Sequence, residues 1–534
     1  MARQAQRTAV PIVVLISFIL GLEGLAMAAD TPAPKASSMV SDRSWGEAQL
    51  GLRQTVSDWI HAALARQKPI PFQGGHDELN YMASWPRFWL LTGDETVISF
   101  LREMRNQLMA WPGLQHGFYA KIGWMDIEHS VENWTEFVTA LARADPTDAT
   151  TLRCLEDVAH HLGNWEPGVP EWFDWKRGCF RSEYIATTEV RDHPPDDYCT
   201  YWDARAVELG LTVYDLTGQK RYLDLAHAFA SAWADEMQRG PDLGCTVLLP
   251  VTDREQIKKL YGDYPEKLHQ FEKGWLWEIT SHLLHVYTLT KDEKLARAAL
   301  KVIELTPGFH NPRYYAAYEQ ATGDKRFAEQ LKSDSEARPP DLEALLAVPL
   351  PTILLLEGTG PYPERKYAFR TEAGELRDYK GPGSQSLLRA AAQADDGRLA
   401  ARAYDLAARE LALAAGTLRD GREHGCNGRF IHGAGGEAVA VLCSGAGLGT
   451  ITYRHDGKPG LAAKVAATLL NQKDGRAVYL YNGADKPIGA RLTPGPGPGK
   501  WAVETFTKAA SGEVALAAHS VARLPLKPPP TPGG

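Results

Sequence analysis

A short joint between predicted helices recurs four times and constrains the fold more than any other feature of the sequence. At each joint, a helical pattern ends on an apolar residue followed by threonine. Glycine follows three of these threonines and favours the left-handed turn that ends a helix. An aspartate or a neighbouring polar residue can then cap the next amphipathic run. The four threonines are Thr92, Thr217, Thr290 and Thr322. The pattern predicts a series of helical hairpins.

The uneven spacing of the joints favours hairpins with insertions between them over a strict solenoid. Such joints resemble those of the (α/α) toroids, barrels of six or seven helical hairpins found in many glycoside hydrolases and polysaccharide lyases. The resemblance covers residues 45–424 and concerns architecture rather than chemistry. A tetratricopeptide-like solenoid is the competing architecture, although its repeats would be more regular.

The composition changes after residue 425, where Gly, Ala, Val and Thr become common. Short alternating runs at 438–442, 477–481 and 514–518 are separated by turn sequences such as Asn482-Gly483. This pattern predicts a small β-sandwich over residues 425–526. The expected fold is therefore multidomain, an (α/α) toroid followed by a small C-terminal β-sandwich. A Pro/Gly-rich tail at 527–534 is expected to be disordered.

The first 28 residues have the pattern of a secretory signal peptide. Two arginines precede an apolar run at residues 10–22, and Ala26-Met27-Ala28 fits a cleavage site. The apolar run is shorter than the ~20 residues that span a bilayer, which disfavours the alternative of an N-terminal membrane anchor. We expect a flexible leader at 29–44 and a secreted or periplasmic protein without a membrane span after cleavage.

Charge and cysteine content exclude several classes of protein. A net charge of −8 argues against general nucleic-acid binding, which requires a basic face. Six cysteines without C-x-x-C spacing suit neither a disulfide scaffold nor a structural zinc site. Cys179 with Cys199 and Cys426 with Cys443 are candidate disulfides by proximity in sequence, and buried free thiols are the alternative.

Tryptophan is concentrated in one part of the chain. Seven of the fifteen tryptophans lie between residues 111 and 202. Indole rings can stack on the apolar C–H faces of sugars, so this concentration favours a carbohydrate cleft. The alternative is that the tryptophans pack between helices.

Residues 126–141 predict a helix with two distinct faces. Ile127, Val131, Trp134, Val138 and Leu141 recur at helical spacing and form an apolar stripe. A polar stripe on another side contains His and Asn but no Lys or Arg, unlike an ordinary solvated face. Its members are Asp126, His129, Asn133 and Glu136, flanked by Glu128 and Glu132.

Residues 163–205 form a long, aromatic and poorly helical insertion. A loop of this length in a compact domain is usually functional or disordered, and its aromatic content argues against disorder. We expect it to line a cleft, and a packed structural insertion is the alternative. Two histidine features elsewhere are weaker. His282 and His285 form an i, i+3 pair without a third metal ligand, and His76 is a candidate helix cap.

Two kinds of glycan cleavage fit these residues. Hydrolysis requires a protonated carboxyl group and a second carboxylate. The pool is Asp126, Glu128, Glu183, Asp196 and Asp197. β-Elimination of a uronic acid requires a group that neutralises the substrate carboxylate and a base. The resemblance to toroid lyases implies Asn133, His129, Tyr184 or Tyr198, and Arg181 for these roles, although no complete lyase signature is present.

We therefore expect an exported enzyme that cleaves glycosidic bonds of a poly- or oligosaccharide. We favour hydrolysis over elimination because the candidate carboxylates outnumber the residues that a lyase would use. A non-catalytic helical scaffold that binds glycan or protein is the other alternative. The catalytic candidates are Asp126, Glu128, His129, Asn133, Glu183, Tyr184 and Asp197. The expected substrate-binding residues are Trp124, Asn164, Trp165, Trp172, Trp175, Arg181, Tyr198, Trp202 and Arg205. No cofactor and no metal ligand set is predicted, while a divalent ion such as calcium and the oligomeric state stay open.

Overall fold

The computed structural model describes most of the chain between residues 38 and 526. The described ranges are 38–68, 70–123, 125–239, 247–248, 254–262, 276–305, 312–331, 342–357, 364–416, 429–443, 451–472, 475–494, 501–508 and 513–526. The predicted signal peptide, Trp124, Cys426 and the predicted tail lie outside these ranges. The described residues form two compact units, a helical unit at 64–331 and a mixed unit at 38–63 with 342–526.

The helical unit is built mainly from antiparallel helix pairs. Its helices are Trp85–Thr92, Glu95–Met109, Ile127–Ser130, the π-helix Asn133–Val138, Thr139–Ala144, Ala149–Leu162, Ala204–Thr217, Lys220–Gln238, Arg254–Tyr261, Leu276–Thr290, Glu293–Leu305 and Pro312–Thr322, with single 3₁₀ turns at Asn80–Met82 and Tyr201–Asp203. Three two-stranded ribbons interrupt them. These pair Leu114–Gln115 with Phe118–Tyr119, Phe173–Asp174 with Cys179–Phe180, and Cys199–Thr200 with Val247–Leu248.

The four predicted joints between helices are confirmed. Each has a residue with positive φ directly after the threonine, and its N–H donates to the carbonyl four residues earlier at 2.7–2.8 Å. These residues are Gly93, Gly218, Lys291 and Gly323. The threonine hydroxyl donates to the carbonyl four residues before it and accepts from the N–H two residues after it. One hydroxyl therefore satisfies an unpaired carbonyl of the ending helix and an N–H of the joint, which explains why threonine recurs.

Successive hairpins pack side by side in the helical unit. Helix Ala204–Thr217 contacts the π-helix Asn133–Val138 on one side and Leu276–Thr290 on the other. An aromatic cluster fills the core beside the π-helix, with the Phe118 ring centroid 5.3 Å from that of Trp134 and 4.8 Å from that of Trp172. These three helices bring the polar residues described below to one place.

The mixed unit combines helices with small sheets. Its helices are Ser38–Ser41, Ser44–Gln67 (most of its length), Leu342–Ala347, Ser384–Ala394, Gly397–Ala415 and Arg429–Leu442. Within the described ranges, one sheet has the strand order Lys458–Pro459, Ile451–His455, Trp501–Phe506, Ile488–Pro494, Val514–Leu516. Two three-stranded sheets are Val465–Gln472, Gly475–Asn482, Ser520–Pro525 and Ile353–Glu357, Glu364–Arg370, Leu376–Asp378.

A buried glutamine joins helix and sheet in the mixed unit. The Gln49 side chain donates to the carbonyl of Ala467 at 2.6 Å and accepts from its N–H at 2.8 Å. Ala467 lies on the strand Val465–Gln472, at the edge of its three-stranded sheet. Because an unpaired strand edge needs hydrogen-bond partners, this amide replaces part of a neighbouring strand.

The described chain is therefore rich in helix in its N-terminal part and rich in strand near its C-terminus, as predicted. Closure into a toroid and a sandwich stay predictions. One predicted strand is wrong, since residues 438–442 end the helix Arg429–Leu442. Four residues of that run are buried, so its apolar pattern does not distinguish helix from strand. The predicted leader is also partly helical, at Ser38–Ser41.

Two further predictions concern cysteines and membranes. Cys154, Cys179, Cys199 and Cys443 are buried free thiols. Of the two alternatives left open for Cys179 and Cys199, the structure shows buried thiols and no disulfide. No helix in the described ranges has the length and apolar character that crossing a membrane requires.

Candidate active site

The 126–138 segment folds as predicted on its apolar side and differently on its polar side. All five residues of the apolar stripe are fully buried. The polar side is not one continuous helix, because helix Ile127–Ser130 is followed by the π-helix Asn133–Val138. A π-helix widens the turn and changes which side chains share a face, and such segments are frequent at functional sites.

A buried arginine holds the centre of the site. The Arg205 side chain is 3% exposed, and its guanidinium lies 2.7 Å from a Glu128 oxygen and 3.1 Å from a Glu278 oxygen. A Glu132 oxygen lies at 3.6 Å. The second oxygen of Glu278 is buried and has no hydrogen-bond partner among the described residues. We call Arg205 with Glu128, Glu132, Glu136 and Glu278 the Arg205 cluster.

Carboxyl groups outnumber the cation in the Arg205 cluster, and their protonation follows from that imbalance. Burial raises the pKa of Glu128 to about 7, although Arg205 acts to lower it. Burial also raises the pKa of the half-buried Glu136 to about 7. The cluster therefore keeps carboxyl groups that exchange protons near neutral pH.

Two imidazoles lie on the outer side of this cluster, each paired with a carboxylate. His129 Nδ1 lies 2.6 Å from Asp126 Oδ1, and His76 Nδ1 lies 2.7 Å from Glu132 Oε2. The two rings meet edge to face with centroids 5.2 Å apart. Burial acts to lower the pKa of His129, but the hydrogen bond and charge of Asp126 raise it to about 9. Asp126 also caps its helix by accepting from the His129 N–H at 2.9 Å.

The loop that carries His76 is held by two buried side chains. Asn133 accepts from the Leu79 N–H at 3.0 Å and donates to the Gly75 carbonyl at 2.7 Å. The Glu78 carboxylate accepts from the N–H groups of Gln73 and Gly75. Asn133 is fully buried and its amide binds backbone groups, so its catalytic role stays a prediction. The prediction of His76 as a helix cap missed its pairing with Glu132.

The insertion contacts this site through Glu183. The Ile127 N–H donates to the Glu183 carbonyl at 2.7 Å, which joins the insertion to the helix that begins after Asp126. The Glu183 side chain is buried and accepts from the hydroxyl of Tyr198. Asp197, also buried, accepts from the hydroxyl of Tyr261. The segments 126–132 and 163–205 are thus brought together, and Arg205 itself lies at the end of the insertion.

Several residues predicted to bind substrate have structural contacts within the protein. Asn164 accepts from the N–H groups of Trp172 and Phe173 and donates to the Phe173 carbonyl, so it fixes a turn. Trp172 is fully buried, and Arg205 is bound by glutamates. Trp172 and Arg205 therefore face the interior, whereas Asn164 is half-buried, and substrate binding by all three stays a prediction.

The other predicted residues of the insertion are more exposed. The Tyr184 ring lies 5.4 Å from the Arg191 guanidinium. Trp165 is half-buried beside Arg221, at 5.1 Å. Trp202, also half-buried, meets the Tyr201 ring edge to face. Trp175 is 43% exposed. Together with Arg181 it lines an open cleft of about 400 Å³, bounded by Asn164, Glu171, Phe173, Asp174, Trp175, Lys176 and Arg181.

One group in the described part of the chain has the composition of a cation site. Ligand atoms of Asp126, Glu128 and His129 lie within 4.8 Å of one another. Metal binding requires neutral imidazole, whereas the Asp126 interaction holds a proton on His129. The arrangement therefore suits proton transfer better than metal binding.

Comparison of the chain with protein-family models, with curated proteins and with solved structures gave no match.

Proposed function

We propose that this chain hydrolyses glycosidic bonds of a poly- or oligosaccharide outside the cytoplasm, with Asp126 and Glu128 as the reacting carboxyl pair of an (α/α) toroid. The observation that carries the proposal is their closeness in unlike environments, with ligand atoms within 4.8 Å. The His129 N–H donates to Asp126 Oδ1 at 2.9 Å, and His129 Nδ1 lies 2.6 Å from the same oxygen. Burial raises the pKa of Glu128 to about 7. Such a pair supplies an acid and a nucleophile.

The spacing favours a mechanism with retention of anomeric configuration. Retaining enzymes hold their two carboxyl groups roughly 5 Å apart, whereas inverting enzymes need roughly 6.5–9.5 Å to admit water. In the proposed reaction, Glu128 gives its proton to the glycosidic oxygen while Asp126 bonds to the anomeric carbon. Water then displaces Asp126 and returns a proton to Glu128. His129 orients Asp126 through their hydrogen bond, and Arg205 holds Glu128 in place through its contact at 2.7 Å.

Elimination is less well supported, because residues that it would use are engaged elsewhere. Asn133 binds backbone groups, and the Tyr198 hydroxyl donates to Glu183. Arg181 is paired with Glu171 and with an aspartate, which leaves it less suited to neutralise a uronate. A passive binding scaffold is also less well supported, since it would gain nothing from buried carboxyl groups that titrate near neutral pH.

The test is incubation of the purified protein with neutral and uronate polysaccharides, following both reducing ends and the absorbance of unsaturated uronate. We expect reducing ends without new absorbance, and NMR of early products should show the retained anomer. Asp126→Asn and Glu128→Gln should each lower kcat at least about 100-fold. Asp224→Asn, on an exposed helix face, is the matched control and should leave kcat unchanged. New absorbance, or no cleavage of any polysaccharide, would contradict the proposal.

A further inference from the structure

Trp175 differs from the other aromatic residues that the structure describes. Among the Trp, Tyr and Phe residues whose burial the structure describes, it is the only one that is exposed, at 43%. Exposure of an indole costs free energy in water, so an exposed and fixed indole often serves binding. Trp175 is fixed, because its Nε1 donates to the Gly163 carbonyl at 3.3 Å. Its ring also meets Phe173 edge to face, with centroids 5.1 Å apart.

The hairpin that presents Trp175 is closed by specific turn chemistry. Strand Phe173–Asp174 pairs with Cys179–Phe180, and the Asp174 carboxylate accepts from the N–H groups of Lys176 and Arg177. Gly178 has a φ of +69°, and a Cβ there would lie 2.6 Å from the Ala228 carbonyl oxygen. The indole therefore stands on a backbone that tolerates little rearrangement, which lowers the entropic cost of binding.

The cleft beside Trp175 has the size of a small-molecule site and balanced charge. Its volume of about 400 Å³ falls in the usual range of roughly 300–1,000 Å³. Two carboxylates, Glu171 and Asp174, and two cations, Lys176 and Arg181, line it. Arg181 is already neutralised, with Glu171 at 3.1 Å and an aspartate at 2.7 Å. The lining carries two carboxylates and two cations, so its net charge does not favour an anionic sugar, whereas hydroxyl groups can bond to both signs of charge.

We propose that this cleft is a binding subsite for a neutral pyranose unit of a glycan, stacked on Trp175 and hydrogen-bonded by the charged side chains at its rim. The assignment rests on the proposed function and narrows its substrate to chains that contain uncharged sugars. The unit stacks its C–H face on the indole, and Glu171 accepts from its hydroxyl groups while Lys176 donates to them.

The test is calorimetric titration with cellohexaose, xylohexaose, mannohexaose and oligogalacturonate at matched ionic strength, in the Glu128→Gln background so that nothing is cleaved. We expect at least one neutral oligosaccharide to bind more tightly than oligogalacturonate. Trp175→Ala should weaken that binding about 10-fold, and Trp175→Phe should restore most of it. Trp501→Ala, in the mixed unit, is the matched control and should leave the affinity unchanged.

Three results would overturn the subsite: no binding of any neutral oligosaccharide, tighter binding of oligogalacturonate, or equal affinity in Trp175→Ala and the parent. The proposed function is separate in this design, since cleavage is measured on the protein with Glu128 intact. Equal cleavage by the parent and by Trp175→Ala would contradict the subsite and agree with the proposed function. Binding of a neutral oligosaccharide that depends on Trp175, without cleavage by the intact protein, would support the subsite and contradict the proposed function.

Discussion

Two charged clusters connect the same pair of helices, Ala204–Thr217 and Leu276–Thr290. The clusters lie about one helical turn apart along these helices. In the first, Arg205 of one helix meets Glu278 of the other at 3.1 Å, within the Arg205 cluster. In this cluster one cation faces several carboxyl groups, and the pKa of Glu128 rises to about 7 through burial.

In the second, one carboxylate faces two imidazoles. Glu208 lies 2.7 Å from His282 Nδ1 and 3.0 Å from His285 Nδ1. Burial acts to raise the pKa of Glu208, but the charges and hydrogen bonds of the two histidines hold it well below its usual range. Burial acts to lower the pKa of His285, but Glu208 raises it on balance. We call these three residues the Glu208 cluster.

The comparison shows that charge balance, rather than burial alone, decides which group keeps a proton. Both clusters are desolvated, and both cross the same helix pair. Excess carboxyl groups in the Arg205 cluster retain protons near neutral pH, which suits proton transfer. In the Glu208 cluster one carboxylate of the first helix contacts two imidazoles of the second, which suits fixing the two helices. Two further charges act on the pKa of His285, which Asp215 raises and Arg143 lowers.

The largest expected effect comes from removing the single cation of the Arg205 cluster. Arg205→Met would leave Glu128, Glu132 and Glu278 buried without their shared partner. Breaking a buried ion pair on one side typically costs about 3–5 kcal/mol. We expect a loss of that size in the free energy of unfolding, measured by urea denaturation at pH 7.

The matched control for this substitution is Arg181→Met, which removes a half-exposed arginine that also has two acidic partners. Exposed pairs contribute about 1 kcal/mol or less, so little change is expected. Equal losses from the two substitutions would contradict the central role of Arg205.

A smaller effect, with its own pH dependence, is expected from Glu208→Gln. Glu208 has a lowered pKa, so its contribution is present above the ordinary value of 4.5 and is lost as pH falls below it. His285 has a raised pKa, so its contribution is present below the ordinary value of 6.5 and is lost as pH rises through its raised pKa. The stability difference from the parent should reach about 2 kcal/mol between these two pH values and shrink toward pH 9.

Urea denaturation at pH 5.5, 7 and 9 measures this difference. His227→Gln, which removes one side of the more exposed pair with Asp292, is the control for a general effect of losing a histidine–carboxylate contact. A difference that is constant across pH would mean that the Glu208 cluster does not fix the helices through charge.

The opposite sign is expected for Glu136→Gln in the Arg205 cluster. Glu136 has a raised pKa, so its favourable protonation is complete below 4.5 and is lost as pH rises through about 7. The variant should therefore match the parent near pH 4 and be more stable by about 1–2 kcal/mol at pH 8. Glu103→Gln, on an exposed helix face, should change stability at neither pH. A variant less stable than the parent at pH 8 would show that Arg205 needs all of its carboxyl partners.

Local patterns in the sequence predicted what depends on local chemistry. The threonine joints at 92, 217, 290 and 322 were predictable, because turn and cap use residues adjacent in the chain. The burial of Ile127, Val131 and Trp134 followed from helical spacing alone. Asp126 and His129, chosen for their residue types, are also paired in space.

Sequence could not predict which distant partner each polar side chain meets. Glu132 pairs with His76, which lies 56 positions earlier, and no periodicity relates the two. Asn133 has the same polar character as its neighbours, but the π-helix turns it toward backbone in the core. The sequence Gly74-Gly75-His76, a polar residue after two glycines, singled out His76 as a candidate cap but gave no signal for its pairing with Glu132.

The smallest expected effect concerns this histidine and tests whether the outer side of the Arg205 cluster takes part in chemistry. His76 is held by Glu132 at 2.7 Å and meets the ring of His129 edge to face. His76→Asn keeps a polar side chain but removes the imidazole ring that meets His129. We expect a fall of about 10-fold in kcat, with a shift of the pH–rate profile and little change in KM.

A merely structural role for His76 would change stability and leave the shape of the pH–rate profile as it is in the parent. His227→Asn removes an imidazole from another histidine–carboxylate pair, on helix Lys220–Gln238, and should alter neither kcat nor the profile. If the His76 variant keeps both the parent kcat and the parent profile, then only His129 and its carboxylates belong to the reacting side. The pair of His76 and Glu132 would then have a structural role, as the Glu208 cluster has, and would serve to hold the loop that carries His76.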